Sequence, residues 1–304
     1  MQVVFLGTGA MVPTKQRNVS SVLLEYAGEF ILFDCGEGTQ RQMNLAGCNR
    51  IKTRIILLTH WHGDHVSGLI GLIQTMGNIP EPRLVTIIGP LGTKKHMQHL
   101  LQSALFDKRL PLEIIEVYPE VPTAVLEREA FIVRAVRVEH SVPTIAFRFQ
   151  EKSKRRINLS AAHALGLKQG PLLGALSRGE SVLFDDKHIS PEQVTYIQEG
   201  RSVTYVMDTG YTQSAIALAE NSDMLICEST FCAKTHQDKA EEYGHLSAFQ
   251  AATIAKSAHA RQLVLTHFSQ RYPVIDALLD EAKEVFPQTI AAYDFLSLSI
   301  DRKE

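Results

Sequence analysis

The chain has 304 residues, 45% of them hydrophobic and 21% charged, with a formal net charge of -2. That balance fits one large or two modest globular domains; it excludes a disordered chain and a globally basic nucleic-acid binder, so any nucleic-acid contact has to come from local basic patches. No apolar stretch approaches the length of a membrane span, and four cysteines without CxxC spacing, with no signal peptide in MQVVFLGTGA, predict free thiols in a soluble protein of the reducing cytoplasm.

Short apolar runs alternate with helix-like segments, which predicts a layered α/β architecture. In chain order, strands are predicted at 1–7, 30–34, 54–59, 83–89, 131–138, 202–208, 223–228 and 262–266. Helices are predicted at 36–46, 66–76, 93–105, 212–221, 246–258 and 274–285, the last ending before Pro287. At or just beyond the ends of these strands stand Asp34, His60, His140, Asp208, Glu228 and His267, all able to bind a metal or move a proton. In open α/β sheets ligands gather at one end of the strands, where the loops begin. One segment breaks the rhythm. Residues 151–197 combine a basic cluster with four glycines and two prolines and show no sustained strand pattern. They predict a flexible arm inserted into a single domain spanning 1–304.

The densest chemistry lies in LTHWHGDHVSG, residues 58–68. His60 and His62 are two apart on chain leaving a strand, so extended geometry points both side chains the same way. Gly63 permits a sharp turn, and Asp64 and His65 follow near a helix start. Nitrogen and carboxylate donors without a nearby cysteine suit a catalytic zinc or a similar divalent ion better than a structural zinc. His96, His99, His163, His188, His236 and His259 have no such placement and are expected to be exposed or locally hydrogen-bonded.

HxHxDH at a strand end resembles the signature of the metallo-β-lactamase superfamily, which implies an αββα sandwich. The resemblance further implies a dinuclear site in which His60, His62 and His140 hold one metal and Asp64, His65 and His267 the other. Asp208 would bridge the two, and Asp34 would orient a metal-binding histidine. Zinc is the implied ion, two per subunit, and the donor set admits manganese as well.

Other segments are similar to the short form of ribonuclease Z, the tRNA 3′-processing endonucleases. GTGAMVPTKQRNVSS (7–21) resembles that family's P-x-K-x-R-N element and offers Lys15, Arg17 and Asn18 to phosphates. CESTF (227–231) and GHLS (244–247) resemble its two loops that carry a catalytic Glu–His pair, here Glu228 and His245, although Cys227 replaces a usual histidine and Leu246 departs from the second loop. KSKRR (152–156) and GPLLGALSRGE (170–180) resemble its tRNA-gripping arm, with Lys152, Lys154, Arg155, Arg156, Lys168 and Arg178 as backbone-phosphate contacts. The resemblance runs from residue 2 to about 299. It implies two-metal hydrolysis that removes the 3′ trailer of precursor tRNA, leaving a tRNA 3′-hydroxyl and a trailer 5′-phosphate. Asp64 would be the proton acceptor and His245 the proton donor, in a homodimer whose arm serves the neighbouring subunit. The alternative is a broader phosphodiesterase of the same fold, whose members typically lack the basic arm.

Overall fold

The computed structural model describes residues 1–302. They form two units: residues 1–149 with 202–300, and residues 150–201 with Asp301 and Arg302. The larger unit opens with β1 (Gln2–Gly7), β2 (Ser21–Tyr26), β3 (Glu29–Phe33), β4 (Thr53–Leu57), β5 (Val85–Gly89) and β6 (Leu112–Glu116). Next come β7 (Thr123–Glu127), β8 (Phe131–Val138) and β9 (Thr144–Glu151). The smaller unit holds β10 (Lys154–Ile157), β11 (Val182–Phe184), β12 (Lys187–Ile189) and β13 (Thr195–Gln198). The chain then returns through β14 (Ser202–Val206), β15 (Met224–Glu228), β16 (Leu263–Thr266), β17 (Thr289–Ala291) and β18 (Ser297–Ser299). One seven-stranded sheet has the order β18-β1-β2-β3-β4-β5-β6 and the other β17-β16-β15-β14-β9-β8-β7.

The period-2 pattern of the strands builds the layers. Val3, Phe5, Val22, Leu24, Ile31, Phe33, Ile55 and Leu57 of the first sheet pack against Val133, Ile145, Phe147, Val203 and Tyr205 of the second. The alternate residues Leu6, Leu23, Leu32 and Ile56 face outward onto Met43, Leu69, Leu72, Ile73 and Met97, which lie on helices. On the outer face of the second sheet, Val206, Leu225 and Leu265 meet Ala215, Leu218, Ala251, Ala255 and Leu278, also from helices. Three apolar cores between four layers make the αββα sandwich that the superfamily resemblance implies.

All eight expected strands form, and the structure adds others. β2 joins β3 through Ala27 and Gly28, both at positive φ, as a tight hairpin requires. β6 and β7 are sheet edges with mostly half-buried or exposed residues, so their apolar signal is weak. The helix Ala233–Tyr243, which precedes His245, buries only Ala240 and so shows no apolar stripe.

Parallel pairing of β14, β15 and β16 aligns Val206 with Cys227 and Cys227 with Leu265. Asp208, Glu228 and His267 therefore leave the second sheet at the same end of its strands. In the first sheet, Phe33 aligns with Leu57, which brings Asp34 level with the start of the histidine-rich loop.

The smaller unit differs from the strandless arm that its composition suggests. β10 pairs with β13, and β11 with β12 across Asp185 and Asp186, both at positive φ. Ala162, Leu167, Leu173, Leu176, Val182, Ile189 and Val194 form its own small core. Strands of three or four residues are too short to give a readable period.

Candidate metal centre and active site

The donor orientations follow from hydrogen bonds behind the imidazoles. Asp34, fully buried and held at φ 52°, accepts from His65 Nδ1 at 2.8 Å, from Tyr205 Oη at 3.1 Å, and from the backbone N–H of Thr59 at 2.8 Å. The Thr59 hydroxyl also donates to Asp34, so its oxygen is left to accept from His60 Nδ1 at 3.0 Å. His140 Nδ1 donates to the carbonyl of Gly244 at 3.0 Å. Each Nδ1 is thereby protonated, and the Nε2 lone pairs of His60, His65 and His140 turn into the site.

Two donor sets result. His60, His62, His140 and Asp208 bring ligand atoms within 4.8 Å of one another, as do Asp64, His65 and His267. Asp208 divides its oxygens between them. Oδ2 lies 3.6 Å from His60 Nε2 and 3.8 Å from His140 Nε2, whereas Oδ1 lies 3.3 Å from His65 Nε2 and 3.2 Å from His267 Nε2. His65 Nε2, His267 Nε2 and Asp208 Oδ1 are buried without any hydrogen-bond partner among the described residues. Buried polar atoms of a folded protein are ordinarily satisfied, so three orphans converging at one point fit a divalent cation. The backbone is strained at the same place: Asp208 and His267 sit at φ 41° and 59°, a region that non-glycine residues rarely occupy. Burial opposes charge on Asp208, yet His267, His65 and His60 around it hold its carboxyl well below the usual range.

Beside the second set lies a further pair. His245 Nδ1 donates to Glu228, 3.1 Å from Oε2, and the backbone N–H of Thr209 donates to Oε1 at 2.6 Å. Burial would lower the His245 pKa, but the charge and hydrogen bond of Glu228 outweigh it and raise it to about 9. His245 is not a helix cap: Ser247 caps the helix Ala248–Ser257, in a capping box with Gln250. Thr230 joins the pair to the metal donors. Its hydroxyl donates to Glu228 Oε2 at 2.5 Å, so its oxygen accepts from His267 Nδ1 at 2.8 Å. His140, Asp208, His245 and His267 line a cleft of about 940 Å³ together with Phe231 and Arg271.

The chain is 41% identical over 301 residues to Ribonuclease Z of Methanothermobacter thermautotrophicus, covering 99% of this chain and 97% of the relative. It belongs to the ribonuclease Z family. Ribonuclease Z of Cyanothece sp. is 39% identical, with 99% of this chain and 96% of the relative covered. The crystal structure of the short form of human tRNase Z superposes with a TM-score of 0.74 at 28% identity, covering 99% and 100% of the two chains. A metallo-β-lactamase-fold protein from Bacillus subtilis, YhfI, gives 0.69 at 23% identity over 98% and 99% of the two chains, which identifies the fold. A family model described as Anti-Pycsar protein Apyc1 matches residues 1–142.

Of the residues that resemble the ribonuclease Z phosphate element, the structure leaves Lys15 exposed, with no ion-pair partner among the described residues. Arg17 donates to the carbonyls of Tyr272 at 2.9 Å and Pro273 at 3.5 Å and lies over the Phe268 ring. Asn18 donates through Nδ2 to the carbonyl of Glu37 at 2.7 Å and through its backbone N–H to Asp294 at 2.7 Å. Both brace their own loop, whose Met11 N–H donates to Asp64 Oδ2 at 2.8 Å. In the smaller unit Lys154 and Arg156 are exposed and Lys152 and Arg155 half-buried. Arg155 faces Glu192 at 3.4 Å and Arg178 pairs with Glu180 at 2.9 Å, which reduces the positive charge they present.

Thr59, Tyr205 and Thr230 are absent from the residues singled out by sequence. Thr59 adjoins His60 and Thr230 follows Glu228 by two, so proximity to the motifs was a usable signal. Tyr205 lies inside a strand of ordinary apolar pattern and carries no such mark.

Proposed function

We propose that this chain is a zinc-dependent endoribonuclease that removes the 3′ trailer from precursor tRNA. It would leave a tRNA 3′-hydroxyl and a trailer 5′-phosphate. Near full-length similarity to proteins named Ribonuclease Z supports the substrate. The observation that carries the chemistry is the placement of His245, backed by Glu228, 4.0 Å from the Asp208 oxygen at the junction of two donor sets.

His60, His62, His140 and Asp208 would hold one zinc ion, and Asp64, His65, His267 and Asp208 the other; manganese suits the same donors. Two such ions supply Lewis-acid stabilisation of charge in an in-line phosphodiester displacement. Asp64 accepts the proton of the attacking water. As the bond from phosphorus to the 3′ oxygen breaks, His245 delivers a proton to that oxygen from the ring nitrogen opposite Glu228. Glu228 fixes the tautomer and keeps the ring protonated. The smaller unit, which includes residues 151–197, is the arm that grips the tRNA body. There Lys152, Lys154, Arg155 and Arg156 contact phosphates without reading bases, and Lys15, Arg17 and Asn18 belong to the loop that meets the RNA 3′ end. The working assembly is a homodimer in which each arm serves the neighbouring subunit, and its place of action is the cytoplasm. No described helix is long and apolar enough to cross a membrane.

The test is incubation with end-labelled precursor tRNA and mapping of the cut. One cut after the discriminator nucleotide, with 3′-hydroxyl and 5′-phosphate ends, is expected. Intact precursor tRNA alongside hydrolysis of small phosphodiesters would instead establish the broader phosphodiesterase.

A further inference from the structure

Glu281 is a buried acid outside the metal donor sets, on the helix Asp276–Val285, and only 1% exposed. Its carboxylate accepts four hydrogen bonds. Oε1 accepts from the backbone N–H of Ala233 at 2.8 Å and of Phe249 at 3.0 Å. Oε2 accepts from the N–H of Lys234 at 3.2 Å and from Cys232 Sγ at 3.2 Å. Desolvating a carboxylate is costly unless it is this fully satisfied. The four donors come from two separate stretches of chain, which Glu281 joins.

Those stretches are the ones that carry the His245–Glu228 pair. Phe231 and Ser247 form an isolated bridge: Phe231 N–H donates to Leu246 O at 3.3 Å, and Ala248 N–H to Phe231 O at 2.9 Å. On one side of that bridge lie Glu228 and Thr230, and two residues before Ser247 lies His245. On the other side lie Cys232, Ala233 and Lys234, and across from them Phe249, all clasped by Glu281. The bridge contains only two hydrogen bonds, too few to fix a register firmly. The carboxylate closes it at the end opposite the imidazole.

We infer that Glu281 is a positioning residue: by tying Cys232–Lys234 to Phe249 it sets the distance and angle between His245 and Glu228, and so the direction in which His245 presents its proton. This rests on the reading of His245 as proton donor. A bare helix-capping role would contribute stability alone, and the two are separable.

A double-mutant cycle separates them. Glu281→Gln keeps the size of the side chain and replaces one accepting oxygen by a donor that faces an N–H. Single-turnover cleavage of precursor tRNA by wild type, E281Q, H245A and the double variant is measured, with metal content and tRNA affinity alongside. E281Q is expected to keep metal and tRNA affinity and to lose on the order of 10-fold in rate, as displacement of a catalytic group does. That loss is expected to vanish in the H245A background and on a nitrophenyl phosphodiester, whose leaving group needs no proton. Should E281Q not fold, Glu281→Asp carries the same cycle, since it keeps the charge and withdraws the carboxylate by one methylene. Equal losses with and without His245, or no loss at all, would overturn the inference while leaving the role of His245 intact. An unimpaired H245A would overturn both.

Discussion

Thr230 offers a sharp test of how the metal donors are held. It is 4% exposed, and its single hydroxyl donates to Glu228 Oε2 and accepts from His267 Nδ1 at 2.8 Å. Thr230→Val keeps the shape of the side chain and deletes both bonds. Glu228 Oε2 retains His245 as a partner at 3.1 Å, whereas His267 Nδ1 is left with Glu228 Oε2 at 3.9 Å, too far for a hydrogen bond. One buried N–H is therefore orphaned, at a cost of about 1–3 kcal/mol. Loss of a partner behind a metal-binding histidine weakens metal affinity by roughly 10–100-fold. Since each factor of ten corresponds to about 1.4 kcal/mol, the two figures agree. Chelator-competition titration, following ions bound per chain, should show two ions released at similar chelator in the wild type. In the variant one ion, that of Asp64, His65 and His267, should leave first by that factor, while the set containing His60, His62 and His140 is unchanged. Two ions weakened equally, or neither, would refute the tautomer argument and reduce Thr230 to packing.

His245→Ala should retain full metal content and near-normal tRNA binding while losing roughly 10²–10⁴ in cleavage rate, with a much smaller loss on a nitrophenyl ester; equal losses on both substrates, read by parallel kinetics, would contradict proton donation. His62→Ala should abolish cleavage and bound metal at its set with the fold preserved by circular dichroism, and full activity in a metal-free variant would sink the two-ion site. Replacing residues 153–199 by a short turn, which removes the paired strands β10 and β13 together, should cripple tRNA cleavage through affinity and flatten its salt dependence while sparing small phosphodiesters; normal processing of precursor tRNA would make the arm dispensable. Lys15→Ala should reduce tRNA affinity and the salt slope by about one, whereas Arg17→Ala, which frees the carbonyls of Tyr272 and Pro273, should lower thermal stability as well; identical effects of the two would show that the loop contacts were misassigned.

The layered fold was legible because the central strands, buried on both faces, are short apolar runs that alternate with helix-like segments. The donor set was legible as far as each residue stood at a strand end inside a short motif, from His60 to His267. Around the site, what the sequence hid lies between elements. Asp34 reaches Thr59 beyond the neighbouring strand and Tyr205 across the sandwich, and Glu281 reaches Cys232 and Phe249 from another helix. Spacing along one chain says nothing of such meetings. The smaller unit was hidden for another reason, since its strands of three and four residues and its seven-residue core leave no measurable period. Arg17 and Asn18 carry a further role that their motif does not show, since the folded chain engages both with its own carbonyls.

The division of donors has a consequence for how the protein comes to be active. His60, His62, Asp64 and His65 all follow β4 of the first sheet, whereas His140, Asp208 and His267 follow β8, β14 and β16 of the second. Each set thus draws on both layers, and an ion bound in either is a cross-link through the seam of the sandwich. Whatever free energy the ions contribute is added to the docking of the two sheets, so stripping them should loosen that seam before anything else. The dependence also runs backwards: a chain whose layers have not yet closed owns no complete set. Until the two sheets dock, neither ion has its full complement of donors, so assembly of the sandwich and assembly of the metal centre are one event.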